Sequence, residues 1–118
     1  MKTTQNKRTK LRKRADRVMQ EYYRKQNLFC ELCGKPSSCM HHFHVKSSCS
    51  ALRYDHDNLI SLCVKCHFKI HSSHSAEMTT ILIGIRGQKW ADDLLEKKKT
   101  LTVKPGIKYY EEIINKFK

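Results

Sequence analysis

Two Cys-x-x-Cys pairs constrain this chain more than any other feature of its sequence. The first pair is Cys30/Cys33, the second is Cys63/Cys66, and 29 residues separate them. Two such pairs can close a tetrahedral site around Zn²⁺, whose binding supplies folding free energy directly. Unpaired thiols or a disulfide are the alternative, but inside a cell such pairs are more often metal ligands. A structural zinc ion is therefore expected.

The bulk composition also favours a metal-stabilised core. The 118 residues suffice for one domain, and only 39% of them are hydrophobic while 30% are charged. A core this poor in apolar residues usually needs a disulfide or a metal. Residues 1–27 have no apolar signal segment, and the apolar run 81–85 is far too short to span a membrane. These features predict a cytoplasmic protein without a membrane partner.

The charge balance points to a polyanionic partner. The formal net charge is +13, and residues 1–27 contain ten lysines and arginines against Asp16 and Glu21. Such a charge on a small protein favours nucleic acid first and anionic lipid second. A basic protein that its charge merely keeps soluble is the alternative.

The N-terminal segment has a helical pattern. Apolar residues recur from Leu11 to Tyr22 at helical spacing, which predicts a helix over 9–26 that docks by one face, with residues 1–7 loose. A solvated, frayed arm is the alternative. The basic faces are candidates for DNA phosphate contacts. The residues concerned are Lys10, Arg12, Lys13, Arg14 and Arg17.

The segment 28–74 holds the candidate ligands. A strand is predicted over 40–45 and a helix over 64–71. His67 and His71, at i and i+4, share a helix face, which argues against His67 replacing a cysteine in the zinc site. Cys39 and Cys49 lack the paired spacing, so we expect buried or free thiols there.

The C-terminal segment 75–118 contains no obvious ligands and is predicted to be helical. One helix is expected over 76–85, broken by Gly84 and Gly87, and a second over 88–99. A turn at 105–106 precedes a final amphipathic stripe from Tyr109 to Phe117. The predicted organisation is a basic arm (1–27), a ligand-rich core (28–74) and a helical extension (75–118).

Three runs within 28–74 together resemble the HNH nucleases. They are MHHF at 40–43, LRYDHDNLI at 52–60 and LCVKCHFKIH at 62–71. The similarity is greatest to the small phage and bacterial type with a zinc-bound ββα-metal (His-Me finger) core. Many members place a proline shortly after the histidine pair, where this chain has 43-FHVK-46. A c-type haem site would leave the first cysteine pair and the histidine pair unexplained.

The resemblance implies an α+β fold and a role for each signature residue. His42 would be the general base, and Asn58 would hold the loop and orient that base. His41, His67 and His71 would bind a catalytic divalent cation, for which Mg²⁺, Mn²⁺, Ni²⁺ and Zn²⁺ all stay open. Phosphodiester hydrolysis needs such a base and such a cation. The implied products carry 5′-phosphate and 3′-hydroxyl ends.

Alternative interpretations remain open for several of these residues. The tandem histidines can be alternative zinc ligands, Asn58 an ordinary turn residue, and His71 a solvated helix residue. Arg53 is a candidate DNA phosphate clamp or a partner of Asp55 or Asp57. Surface positions are expected for His44, His56 and His74. The lysines at 97–99 are candidates for phosphate contacts.

The sequence therefore predicts a metal-dependent DNA endonuclease with a structural zinc ion. The alternative is a zinc-stapled nucleic-acid-binding module without catalysis, and a membrane-surface protein explains none of the ligands. A homodimer, or association with phage packaging or recombination proteins, stays open. Small stand-alone nucleases of this type favour a phage or mobile-element origin.

Overall fold

The computed structural model describes residues 2–46 and 50–118, with side chains from Asn6 onward. Within these ranges the protein is a small mixed α+β domain, with one two-stranded sheet and five α-helices. The elements are α1 (Lys2–Gln26), β1 (Cys39–His42), β2 (Leu59–Leu62), α2 (Val64–Ile70), α3 (Ser75–Arg86), α4 (Gln88–Thr100) and α5 (Ile107–Phe117). Two short 3₁₀ turns, Ser50–Leu52 and His56–Asn58, lie between the strands. No helix in this part of the chain is both long and apolar enough to cross a membrane.

The basic N-terminal segment forms the predicted helix and docks by one face. Ala15, Met19 and Tyr23 recur every four residues and are buried. They pack in one cluster with Ile114 and Phe117 of α5, so the two ends of the chain share a core. Helix α1 begins at Lys2, although residues 1–7 were expected to be loose.

The sheet is an antiparallel pair in which His41 lies opposite Ile60 and His42 opposite Leu59. All four residues of β2 are buried. The predicted strand over 40–45 is shorter in the structure because the chain turns after His42. There the Phe43 amide donates to the Asn58 carbonyl at 2.8 Å.

The prediction that Gly84 breaks the first C-terminal helix is wrong. Helix α3 runs through Gly84 and ends at Arg86, with Gly87 as its C-cap; the φ of Gly87, +99°, lies in the region that favours glycine. A glycine inside a helix costs only about 1 kcal/mol relative to alanine. Burial of Leu82 in the core beside the cysteines offsets that cost. The predicted helix over 88–99 is confirmed as α4.

Candidate metal centres and active-site cleft

The four cysteines of the two Cys-x-x-Cys pairs converge on one point. Their sulfur atoms all lie within 4.8 Å of one another, and Cys33 Sγ is 3.6 Å from Cys63 Sγ. Tetrahedral zinc with Zn–S bonds of about 2.3 Å requires sulfurs about 3.8 Å apart. Four thiols at such separations fit a structural ion such as Zn²⁺, with no position left for a further ligand.

Local backbone structure places these sulfurs. At the first pair, the Gly34 amide donates to the Cys30 carbonyl at 2.9 Å, and Gly34 takes a φ of +78°, which makes the turn tight. At the second pair, Cys63 is the N-cap of α2, and its sulfur accepts the Cys66 amide at 3.4 Å. Both pairs are therefore preformed by short-range hydrogen bonds.

The surroundings of the cysteines shift the pKa values of their thiols in different directions. The hydrogen bond from the Cys66 amide, with smaller effects from neighbouring thiols, lowers the pKa of Cys63 to about 7. Burial raises the pKa of Cys66, and the neighbouring thiols raise it further. Burial also raises the pKa of Cys39, which is outside the cluster. The other unpaired thiol, Cys49, lies outside the described residues.

Three histidines form a second ligand cluster, separate from the first. The ligand nitrogens of His41, His67 and His71 lie within 4.8 Å of one another. The Nε2 atoms of His67, on α2, and of His71, the C-cap residue of that helix, are 3.1 Å apart. Strand β1 supplies His41, and one turn of helix separates the other two. His67 therefore belongs with the histidines and not with the cysteines.

The imidazoles of His41 and His67 are suited to metal binding because they stay neutral. Burial, together with the neighbouring histidines, lowers the pKa of His41 to about 3. Burial, and then His71, lowers the pKa of His67. Only a neutral imidazole has the lone pair that binds a cation. Three nitrogens fit a divalent ion and leave positions open for other ligands.

The second histidine of the pair has a different partner. His42 Nε2 lies 2.9 Å from the backbone carbonyl of Arg53. A carbonyl only accepts, so Nε2 carries the proton and Nδ1 keeps its lone pair. Burial lowers the pKa of His42; the hydrogen bond to Arg53 opposes the shift, and the charge of Lys46 adds to it. The neutral, basic form of His42 is favoured.

A partly buried ion pair holds the carbonyl that orients His42. Arg53 Nε and Nη2 donate to the two carboxylate oxygens of Asp16 at 2.9 and 2.6 Å, and the Tyr54 hydroxyl donates to the same carboxylate at 2.8 Å. Burial alone would raise the pKa of Asp16, but these hydrogen bonds hold it below its usual value. The partner of Arg53 is thus on α1, and the sequence contained no signal for it.

Asn58 crosslinks the loop that follows β1. The side chain is fully buried; its Oδ1 accepts the His44 amide at 2.8 Å and its Nδ2 donates to the carbonyls of His44 and Leu52. All these contacts are to backbone, so Asn58 positions the chain beside His42 without facing the cleft. The buried Nε2 of His44 has no partner among the described residues.

The histidines line one cleft, and a basic groove adjoins it. The cleft has a volume of about 330 Å³ and is lined by His41, His42, His67 and His71. The groove, of about 610 Å³, contains basic residues of α1 together with Arg53, and Lys46 lines both spaces. Of the predicted phosphate contacts, Arg12 and Lys13 line the groove, as does Arg8. Arg14 lines a different pocket, between α1 and α5, and Lys10 and Arg17 are exposed.

Two further side-chain contacts have no signal in the sequence. The Gln20 amide pairs with both backbone groups of Met40, at 2.8 and 3.0 Å, and so docks α1 onto the free edge of β1. Lys97 donates to Asp55 and Asp57 at 3.1 and 3.0 Å, which leaves only Lys98 and Lys99 of that cluster unpaired among the described residues.

Comparison with known protein families, characterised proteins and solved structures finds no match to this chain.

Proposed function

We propose that the protein is a metal-dependent DNA endonuclease of the HNH type, with a ββα-metal core formed by β1, β2 and α2. The observation that carries this proposal is the convergence of four histidines on one cleft. Three of them bring ligand nitrogens to within 4.8 Å of one another, and the fourth, His42, has an oriented and unprotonated Nδ1. A purely structural role would not require both arrangements in one cleft.

His42 is the general base of the proposed reaction. Its Nδ1 accepts a proton from water while the water oxygen attacks phosphorus; the P–O3′ bond breaks, and solvent protonates the leaving oxygen. The products carry a 5′-phosphate and a 3′-hydroxyl. Arg53 holds the ring through its carbonyl, and Asn58 holds the loop beside it. A base with a lowered pKa stays unprotonated at neutral pH.

His41, His67 and His71 would hold a divalent cation in this reaction. Such an ion supplies Lewis-acid stabilisation of the negative charge that develops on the phosphate oxygens. The position of His41 next to His42 in β1 puts the ligand and the base on neighbouring residues. The paired strands hold His41 and His42, and the first turn of α2 holds His67.

The basic groove supports DNA as the substrate. Arg8, Arg12 and Lys13 of α1 face it, and Lys46 continues the positive charge to the histidine cleft. Phosphates bound along the groove would lead a strand to the cleft with a steep salt dependence. Residues of α1 thus serve both as scaffold, through Asp16 and Gln20, and as phosphate contacts.

Cleavage of supercoiled plasmid tests the proposal. We expect nicking by the wild type with Mg²⁺, Mn²⁺ or Ni²⁺ and none with EDTA. His42→Ala should lower the rate about 10²- to 10⁴-fold, the usual contribution of a general base. His74→Ala is the matched control, because His74 is exposed and lies outside the cleft.

The outcomes separate the two candidate functions. Metal-dependent nicking that His42→Ala abolishes and His74→Ala preserves supports the nuclease. If no metal gives cleavage but plasmid is still retarded on a gel, the protein is a zinc-stapled binding module. Circular dichroism and zinc content of each variant show whether a loss is one of folding.

A further inference from the structure

The short helix α2 presents three different stripes to its surroundings. Successive helical residues lie about 100° apart, so residues four apart share a stripe. Cys66 and Ile70 face the core. Around the helix from them come the metal-ligand stripe of His67 and His71, an apolar stripe, and a basic stripe.

The apolar stripe, formed by Val64 and Phe68, is almost bare. Val64 is 72% exposed and Phe68 is 77% exposed, more than any other large apolar side chain that the structure describes. Burial of apolar surface contributes about 25 cal/mol per Å², and an exposed aromatic ring leaves most of that contribution unused. The ring therefore contributes little to this fold and is available for contact with a partner.

Charge beside the stripe indicates what covers it. Lys65 and Lys69 form the basic stripe on its other side, and no carboxylate in the described chain pairs with either lysine. The apolar pair therefore lies between a candidate cation site and two unpaired cations. Both neighbours attract phosphate, and a base carries an apolar face next to its phosphate.

From this arrangement we infer that Val64 and Phe68 form a wedge that contacts DNA bases beside the phosphate held at the three histidines, with Phe68 stacking on a base. The inference rests on the proposed function, since the histidines position the strand. Apolar side chains that enter a base step unstack it and bend the duplex. The wedge would select easily unstacked steps and expose the phosphate to His42.

A second copy of this chain fits the stripe poorly. An aromatic side chain buries about 150–250 Å², so two side chains fall far short of the roughly 800 Å² per partner in a stable interface. A symmetric pairing would also bring Lys65 and Lys69 of one copy near those of the other, and like charges repel. Neither objection applies to a nucleic-acid strand.

The test uses the full chain carrying His42→Ala, so that DNA is bound but not cut. The probe is a short duplex with a fluorescent base analogue, at varied positions, that brightens when it is unstacked. We expect brightening on binding, and we expect Phe68→Ala to remove it and to weaken affinity about 5- to 150-fold, the range for loss of base stacking. Phe68→Trp should keep both. Leu101→Ala, at a half-exposed leucine between α4 and α5, is the matched control.

Salt dependence distinguishes the wedge from its charged neighbours. Phe68→Ala should leave the slope of log affinity against log salt unchanged, because it removes no charge. Each of Lys65→Ala and Lys69→Ala should reduce the magnitude of that slope by about 0.9. A slope that changes with Phe68→Ala would contradict a stacking role.

Failure of the wedge and failure of the nuclease give different results. If the wild type nicks plasmid but Phe68→Ala binds and brightens the probe as the parent does, the wedge is overturned and the nuclease stands. If the wild type never cleaves yet brightening requires Phe68, the wedge is supported and the nuclease fails. A dimer in sedimentation that Phe68→Ala dissociates would assign the stripe to self-association and overturn the inference.

Discussion

The cysteine cluster and the histidine cluster are neighbouring ligand sets with opposite designs. Three of the four cysteines are buried, and their four sulfurs suffice for a complete tetrahedral site. The histidine cluster has three nitrogens, opens into a cleft, and includes the exposed His71. Helix α2 serves both, since Cys66 faces the core and His67 faces the cleft.

The contrast shows how one short helix can separate stability from reactivity. A complete ligand set gains nothing from solvent, so it can be buried and stabilise the core. An incomplete set needs access for substrate and water. The expected roles are therefore structural for the cysteines and catalytic for the histidines, and each role makes its own predictions.

The largest effect is expected from breaking the cysteine cluster. Cys63→Ser removes a ligand and the N-cap sulfur of α2. Binding of a structural zinc ion contributes about 10–16 kcal/mol of folding free energy. The free energy of unfolding of a whole domain is only about 5–15 kcal/mol, so the core should unfold. Thermal unfolding and bound zinc measure this. Cys39→Ser is the control, since its half-buried sulfur is outside the cluster; if both variants behave alike, the four-cysteine assignment fails.

The next effect is expected from the histidine cluster, and it should spare the fold. His71→Ala should lower cleavage at least about 100-fold, because losing only the outer partners of a metal ligand costs about 10- to 100-fold. The melting temperature and the zinc bound by the cysteines should not change, because His71 is exposed. Plasmid nicking measures the cleavage rate, and a melting curve measures the stability of the same variant. Unfolding of this variant would mean that the two clusters are not separable.

A smaller effect is expected where the helix α1 supports the base. Asp16→Asn leaves the half-buried Arg53 without its charged partner, which should lower the free energy of unfolding by about 1–3 kcal/mol. The rate of cleavage should fall, because the Arg53 carbonyl that holds His42 loosens. DNA affinity should not fall, because Asp16 lines the basic groove and its replacement removes a negative charge there. Asp93→Asn, at an exposed pair with Lys89, should change neither. Unchanged cleavage by Asp16→Asn would mean that α1 does not support the active site.

The smallest effect is expected in the protons that each cluster releases. At pH 7 the cysteines should release protons as zinc binds, because the raised pKa of Cys66 keeps it protonated beforehand. Their zinc affinity should therefore fall as the pH is lowered. His41 and His67 should release almost none, because the pKa of His41 is about 3 and that of His67 is lowered. Metal titration calorimetry in two buffers of different ionisation enthalpy measures this, and equal release would erase the contrast.

Local patterns in the sequence predicted much of this. The apolar stripe of α1, the helix after Cys63, the cysteine set and the shared face of His67 and His71 followed from spacing, because metal pairs and helix faces depend on residues a few positions apart. The inclusion of His41 with those two histidines followed from the resemblance to the HNH nucleases. The extent of β1 and the continuity of α3 through Gly84 were predicted wrongly. In both, contacts made by distant residues override local preference: Asn58 at the end of β1 and the core around Leu82 in α3.

The sequence by itself determined which residues can bind metal and that the surface is strongly basic, since both depend on residue type and short spacing. Only the tertiary structure decided what holds the site in place. Asp16 meets Arg53 across 37 positions, and Gln20 meets the edge of β1 across 20. The tertiary structure also leaves Phe68 exposed beside the histidines. In the sequence, Phe68 is only one aromatic residue among others in a predicted helix. Such pairings depend on how helices pack around the sheet, and no periodicity in the chain records that packing.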